Sequence, residues 1–297
     1  MELVTEYFMA ILLFFSFITL IFYGFPVAWT MGGLAVIFTL ISMLSDTYLD
    51  TFFGVDWKFA SMVVYRLYGV MANWVLVALP MFILMGILMD KSGIAEDLMT
   101  DLSKLFGRMR GGLAIAVVFI GVLLAASTGI IGAAVVLLTI LGVPLMLKNN
   151  YSPDLACGVV CATGTLGILI PPSIMLVVMG PVLEIPVTDL FAAAIMPGIL
   201  LACLYAAYTT LRCYLNPKLG PVLPANEQPT NMAKVWYEFI MGLIPPAGLV
   251  FFALGSILFG LATPTEGAGM GAFGAILLAL AYKKLTLPGL KDALLKT

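Results

Sequence analysis

Gly164-Thr165-Leu166-Gly167-Ile168-Leu169-Ile170-Pro171-Pro172-Ser173 interrupts apolar sequence that is otherwise long enough to cross a bilayer. Ala262-Thr263-Pro264-Thr265-Glu266-Gly267-Ala268-Gly269 interrupts a second such stretch. A spanning helix satisfies its own backbone groups. A broken one frees carbonyls and amides at membrane depth, and these are tolerated only against protein or a polar cavity. Paired breaks of this kind point to the solute or ion site of a secondary transporter.

The surrounding composition agrees. Of 297 residues, 62% are hydrophobic and 10% charged, whereas a soluble domain carries about 25% charged residues. Lipid must therefore be the solvent. The net charge of −2 leaves no basic surface for nucleic acid. The absence of histidine removes imidazole metal ligands and His-dependent catalytic groups. Ser127 has no lysine within an apolar span to serve as its base, and no Gly-x-x-x-x-Gly-Lys-Ser/Thr loop is present. The expectation is a transporter and no enzyme, with a channel-like or structural membrane subunit as the competing class. Cys157, Cys161, Cys203 and Cys213 read as small apolar packing residues, with a metal or redox pair at Cys157 and Cys161 as the alternative. The acidic N-terminus lacks the basic start of a cleavable signal, so the first apolar run reads as a retained span.

Working outward, Phe8 to Ser45 accommodates two short spans with a turn at Tyr23-Gly24-Phe25-Pro26. Asp46 to Arg66 reads as an interfacial loop and helix, and Asn73 to Met89 as a span. Ile94 to Arg110 is amphipathic and suits the membrane surface, or else a core-facing helix. Gly111 to Leu147 carries no charge, has small residues Ala125-Ala126-Ser127-Thr128-Gly129 at its middle, and is flanked by basic residues at both ends. Two full spans with a turn at membrane depth fit this pattern. So does a re-entrant hairpin, which the hydroxyl-bearing tip favours. Asp154 to Leu183 contains the first break. Spans at Leu190 to Leu215 and Phe239 to Leu261 follow, the second break leads into Ala268 to Tyr282, and the end is basic and amphipathic.

Basic residues assign sides. Lys104, Arg108, Arg110, Lys148, Arg212, Lys218 and Lys234 fall inside, and the Glu184–Asp189 loop, which has no Lys or Arg, falls outside. Lys58 and Arg66 are exceptions. The Gly24–Pro26 turn and the Gly260–Pro264 turn then lie on opposite sides, the pattern of inverted repeats. Residues 1–235 form the first repeat: scaffold spans, amphipathic helix, re-entrant hairpin 111–147 and broken span 154–183. Residues 236–297 start a second, incomplete repeat. The expected class is an all-α polytopic membrane protein with broken helices.

These same residues resemble the large membrane subunit of tripartite ATP-independent periplasmic (TRAP) transporters. The resemblance rests on the 164–173 run after Tyr151-Ser152-Pro153, and on Leu190-Phe191 with Met196-Pro197-Gly198. It rests also on Thr263-Pro264-Thr265-Glu266, Pro80-Met81-Phe82-Ile83-Leu84-Met85-Gly86 and Met109-Arg110-Gly111-Gly112-Leu113-Ala114. It implies an elevator-type Na⁺ symporter in the bacterial inner membrane. A periplasmic binding protein would deliver an organic acid, and a small membrane subunit would support the scaffold. No cofactor beyond Na⁺ as coupling ion is implied. Members usually continue through a second hairpin and a second Pro-Pro break, so the chain is expected to be a fragment, a split gene product or a truncated gene model, inactive without that portion.

Na⁺ accepts hard oxygen ligands. The expected set is Ser127, Thr128, Gly164 and Thr165, with Gly129, Thr163, Gly167, Pro171, Pro172 and Ser173 shaping the ion or substrate site. The alternative is a structural kink with hydroxyls bonded back to their own helix. Thr263, Thr265 and Glu266 join as candidates at the second break, where a capping box competes with direct ion or substrate contact.

Overall fold

The computed structural model describes residues 2–48, 57–224 and 232–297, without the side chains of 2–6, 57–60 and 128. Part of the expected interfacial region, part of the loop after residue 224, and the Thr128 hydroxyl thus lie outside the described residues. The described elements are all helical, and the chain divides into two units at Asn73.

In the first unit, α1 (Glu2–Phe22) and α2 (Val27–Tyr48) pack together, and α3 (Trp57–Met71) follows. The expected turn separates α1 from α2. Gly24 takes φ +87°, and its amide and that of Phe25 donate to Ile21 and Leu20 at 2.8 and 3.2 Å, closing the last turn of α1.

The second unit begins with a 3-10 turn (Trp74–Val77) and α4 (Ala78–Lys91), then α5 (Ile94–Phe106). The amphipathic α5 corrects the membrane-surface expectation. Ile94, Leu98, Met99, Leu102 and Leu105 are buried, and the helix packs on α6 (Gly112–Thr128) and α12 (Met232–Leu258). Its apolar stripe is covered by protein and is not available to acyl chains.

The uncharged run forms α6 and α7 (Ile131–Lys148), joined by Gly129 and Ile130. A methyl on Gly142 would lie 3.1 Å from Val117, and one on Gly121 would lie 3.3 Å from Leu138. Both pairs are centred on the Gly129–Ile130 connection, which fixes an antiparallel hairpin with these residues at its tip.

The 154–183 region forms α8 (Pro153–Gly164), α9 (Leu166–Leu169) and α10 (Ile174–Leu183), with a 42° bend at the break. Next come the long α11 (Val187–Leu215), then α12, α13 (Pro264–Ala281) and α14 (Leu287–Lys296). Among the described residues, 6 helices are long and apolar enough to cross a membrane, or up to 7 if the bent pair counts as one span. The small residues Gly267, Ala268, Gly271, Ala272, Ala275 and Ala279 of α13 are buried. They let α13 approach α4 and α12 closely, as small residues do between helices in lipid.

Of the four cysteines only Cys213 is buried, while Cys157, Cys161 and Cys203 are exposed. This corrects the packing expectation for those three. They face outward from α8 and α11, where a lipid solvent makes protein cover unnecessary.

At the base of the hairpin, Gly111 donates to the Gly220 carbonyl at 3.1 Å, Leu223 to Gly107 at 2.9 Å and Ser152 to Leu219 at 3.0 Å. The segment after α11 thereby ties the start of the hairpin to the start of α8.

Candidate functional site

The hairpin tip is built by the sequence that ends α6. Gly129 has φ +60°, and its amide donates to Ala125 at 3.1 Å, so the helix stops there. Ile130 is extended, and α7 starts at once. Ser127 is 2% exposed, and its Oγ donates to the Leu124 carbonyl at 3.0 Å. A hydroxyl that donates still has oxygen lone pairs for a cation.

Across from the tip lies the break. Thr165 donates to Ala162 at 3.2 Å and Ile168 to Thr165 at 3.4 Å, so this turn uses tighter three-residue bonds and Gly164 loses its usual helical donor. Pro171 and Pro172 have no amide hydrogen, which removes the helical donors for Gly167 and Ile168. Ser173, fully buried, answers for one of them: its Oγ donates to the Ile168 carbonyl at 2.7 Å. The Gly164 and Gly167 carbonyls remain as oxygen donors.

The structure brings tip and break together. A methyl on Gly129 would sit 3.0 Å from the Pro172 carbonyl oxygen and 3.1 Å from the Ile174 amide nitrogen. One on Gly167 would lie 3.6–3.7 Å from the backbone of Ile130 and Ile131. One on Gly164 would collide with Val135. At Gly129 backbone meets backbone; at Gly164 the Val135 side chain fills the place of a Cβ, and at Gly167 a methyl would make ordinary contact with the tip. Ala125, Ala126, Leu166, Ile170 and Ala202 form a small apolar cluster beneath the contact. The C-terminal end of α6 and the N-terminal end of α10 meet here, the first favouring a cation and the second an anion. Chemically this is an oxygen-rich, backbone-lined contact suited to a hard cation beside a carboxylate.

Two expected residues point elsewhere. Thr165 is exposed; its Oγ1 donates to Ala162 at 2.7 Å and lies 3.4 Å from the Tyr205 hydroxyl. Thr163 is fully buried with its methyl against Gly121, and its hydroxyl has no hydrogen-bond partner in the protein.

The second break resolves as a cap. The Thr263 amide and hydroxyl each donate to Glu266 Oε2 at 2.8 Å, and the Glu266 amide donates back to Thr263 Oγ1 at 3.3 Å. Thr265 donates to the Trp74 carbonyl at 2.9 Å. These residues belong to the packing of α13 on α4, α12 and the 3-10 turn, apart from the hairpin tip.

Sequence reasoning passed over Asp90. It sits in the last turn of α4, and its Oδ1 is buried without a hydrogen-bond partner. The pair Asp90-Lys91 at the end of an apolar run looks interfacial. Only the packing around α4 reveals the burial.

The family model for the tripartite ATP-independent periplasmic transporter, DctM component, matches residues 14–297. Among curated proteins, the C4-dicarboxylate TRAP transporter large permease protein of Vibrio cholerae is 33% identical over 90% of this chain and 55% of its own length. The corresponding protein of Rhodobacter capsulatus is 28% identical over 97% of this chain and 64% of its own. The 2,3-diketo-L-gulonate TRAP transporter large permease protein of Escherichia coli is 28% identical over 89% and 57%. The chain thus spans a little over half of the length of these relatives.

Proposed function

The chain belongs to the DctM-component family of tripartite ATP-independent periplasmic transporters, multi-pass proteins of the bacterial inner membrane, and from that premise we propose that it forms the solute-handling half of a permease importing a small organic anion together with Na⁺. The observation that carries this is the hairpin tip seated on the Pro171–Pro172 break. Freed carbonyls of Gly164 and Gly167, with the Ser127 and Thr128 hydroxyls, hold Na⁺. The α10 N-terminus faces the carboxylate. Thr165 completes the ion set in this proposal only by turning away from Ala162.

A periplasmic binding protein delivers the solute, and a small membrane subunit braces the scaffold. The hairpin and broken span move as one body in an elevator-type step. An inverted relation between residues 1–235 and 236–297 is supported by the glycine-then-proline order at both turns. Gly260 has φ +70°, and its amide and that of Leu261 donate to Ile257 and Ser256, the same bonding as at Gly24. That bonding also closes α7 and α13, so the order of residues carries the likeness.

The test is uptake by the intact native system with its binding protein and small subunit, using succinate, malate and 2,3-diketo-L-gulonate. Losing one charge-assisted ligand corresponds to about 1.5 kcal/mol, so Ser127→Ala should raise the half-saturating Na⁺ concentration about tenfold. An unchanged Na⁺ response in Ser127→Ala, Thr128→Ala and Thr165→Ala alike would remove the ion assignment.

A further inference from the structure

A groove of about 340 Å³ runs between α8 and α11. Its polar lining is Ser152, Asp154, Thr163, Tyr205, Tyr208, Thr209 and Arg212, set among Val, Leu, Gly and Ala. The volume falls within the range of small-molecule sites.

Its two ends differ. Arg212, Asp154 and Ser152 line one end. That end adjoins the hairpin base, because Cys213 touches Gly111 and Ser152 is bonded to Leu219. Arg108, Arg110 and Lys148 belong to the same base, which marks it as cytoplasmic. The other end reaches Thr163 and Tyr205. The Tyr205 hydroxyl lies 3.4 Å from Thr165, within the break itself. The groove therefore runs from beside the break toward the cytoplasmic face.

The inner end of the groove carries the Tyr205 phenol, and Tyr208 follows along α11 toward Arg212; Thr163 borders the same end with its hydroxyl covered by protein. Arg212 offers a planar fork for a carboxylate at the outer end. Asp154 beside it accepts hydroxyl hydrogens and disfavours a second carboxylate there.

We propose that this groove is a release-side holding site for a hydroxylated organic anion, its carboxylate on Arg212 and its hydroxyl groups on Tyr205 and Tyr208. This rests on reading the chain as part of an organic-anion permease. It adds where the solute pauses after leaving the break, and which solutes pause longest.

The test uses the complete native system in lipid nanodiscs and in proteoliposomes, in a background with all cysteines replaced by alanine. Gly158→Cys places a thiol in the groove wall, where a Cβ meets nothing within 4 Å. Ala162→Cys is the second position should the first disturb folding. Malate at ten times its dissociation constant should slow maleimide labelling about tenfold, by simple occupancy. Succinate, lacking the hydroxyl, should protect less. Arg212→Gln should abolish protection, Tyr205→Phe should erase the advantage of malate over succinate, and Lys218→Gln should change neither. Labelling unaffected by either anion, in a preparation that still drives Na⁺-dependent uptake, would overturn the groove and leave the permease reading intact. No protection together with no uptake of malate, succinate or 2,3-diketo-L-gulonate would overturn both.

Discussion

Gly129→Ala probes the contact on which the site depends. Two costs combine. An alanine in the left-handed region costs about 1–2 kcal/mol. Its methyl would also stand 3.0 Å from the Pro172 oxygen and 3.1 Å from the Ile174 nitrogen, both backbone atoms that cannot swing aside. Forced overpacking of this kind costs about 1–3 kcal/mol. The loss of unfolded-state freedom returns roughly 0.4–1 kcal/mol. The expected net destabilisation is therefore about 3 kcal/mol. Gly132→Ala is the internal control: it lies one helical turn away, in open space, and should stabilise by about 0.5 kcal/mol as glycine is removed from a helix. Gly129→Asn separates the two costs. Asparagine tolerates the left-handed conformation, yet it carries the same Cβ into the same carbonyl, so it should fall between alanine and wild type. The measurement is unfolding free energy in lipid, by steric trapping, with uptake recorded in parallel. If Gly129→Ala proves as stable as Gly132→Ala, the tip does not press on the break, and the site as built is wrong.

Two further outcomes concern the edges of the fold. Tyr151 accepts a hydrogen bond from the Leu113 amide at 3.3 Å, and burial pushes its phenol up to about 12. Its contribution is complete below about pH 10, where the unfolded phenol is also protonated, and is lost as pH rises toward 12; Tyr151→Phe should cost about 1 kcal/mol and flatten that alkaline decline in a melting profile. At the other edge, Lys91 and Lys296 hydrogen-bond Asp292 at 2.6 and 3.0 Å and hold its carboxyl below the usual range. The docking of α14 on α4 is then secure above about pH 4, the ordinary aspartate value, and weakens as pH falls through the lowered one. Limited proteolysis near Leu287 should accelerate there, and Asp292→Asn should reproduce the effect at neutral pH.

The helices were legible where one residue type dictates the backbone. Pro171-Pro172 cannot continue a helix, Gly24 and Gly129 take conformations that suit glycine, and Thr263-Pro264-Thr265-Glu266 spells a capping box that forms as written. Partners across the chain were less legible. The apolar stripe of α5 could equally have met lipid, and only the packing of α6 and α12 decides. Asp90 carries no local sign of burial. Ser173 reads as a residue shaping the site, and that its hydroxyl serves the carbonyl Pro172 strands appears only in the fold. Tyr205 and Arg212 face α8 because two helices remote in sequence lie side by side, which neither periodicity nor composition encodes.

The antiparallel hairpin also bears on how this sequence can evolve. Its legs share a base and a tip, and the tip must arrive at one carbonyl. One residue added to either leg would turn the tip by about 100° and advance it by about 1.5 Å. Adding about seven residues to each leg, two whole turns, would restore the face but drive the tip about 10 Å too deep. The two leg lengths are therefore inherited together as a fixed measure. Insertions and deletions should collect outside the two legs, and substitutions should be rarer at Gly129, whose Cβ would meet backbone, than at Ser127 and Thr165.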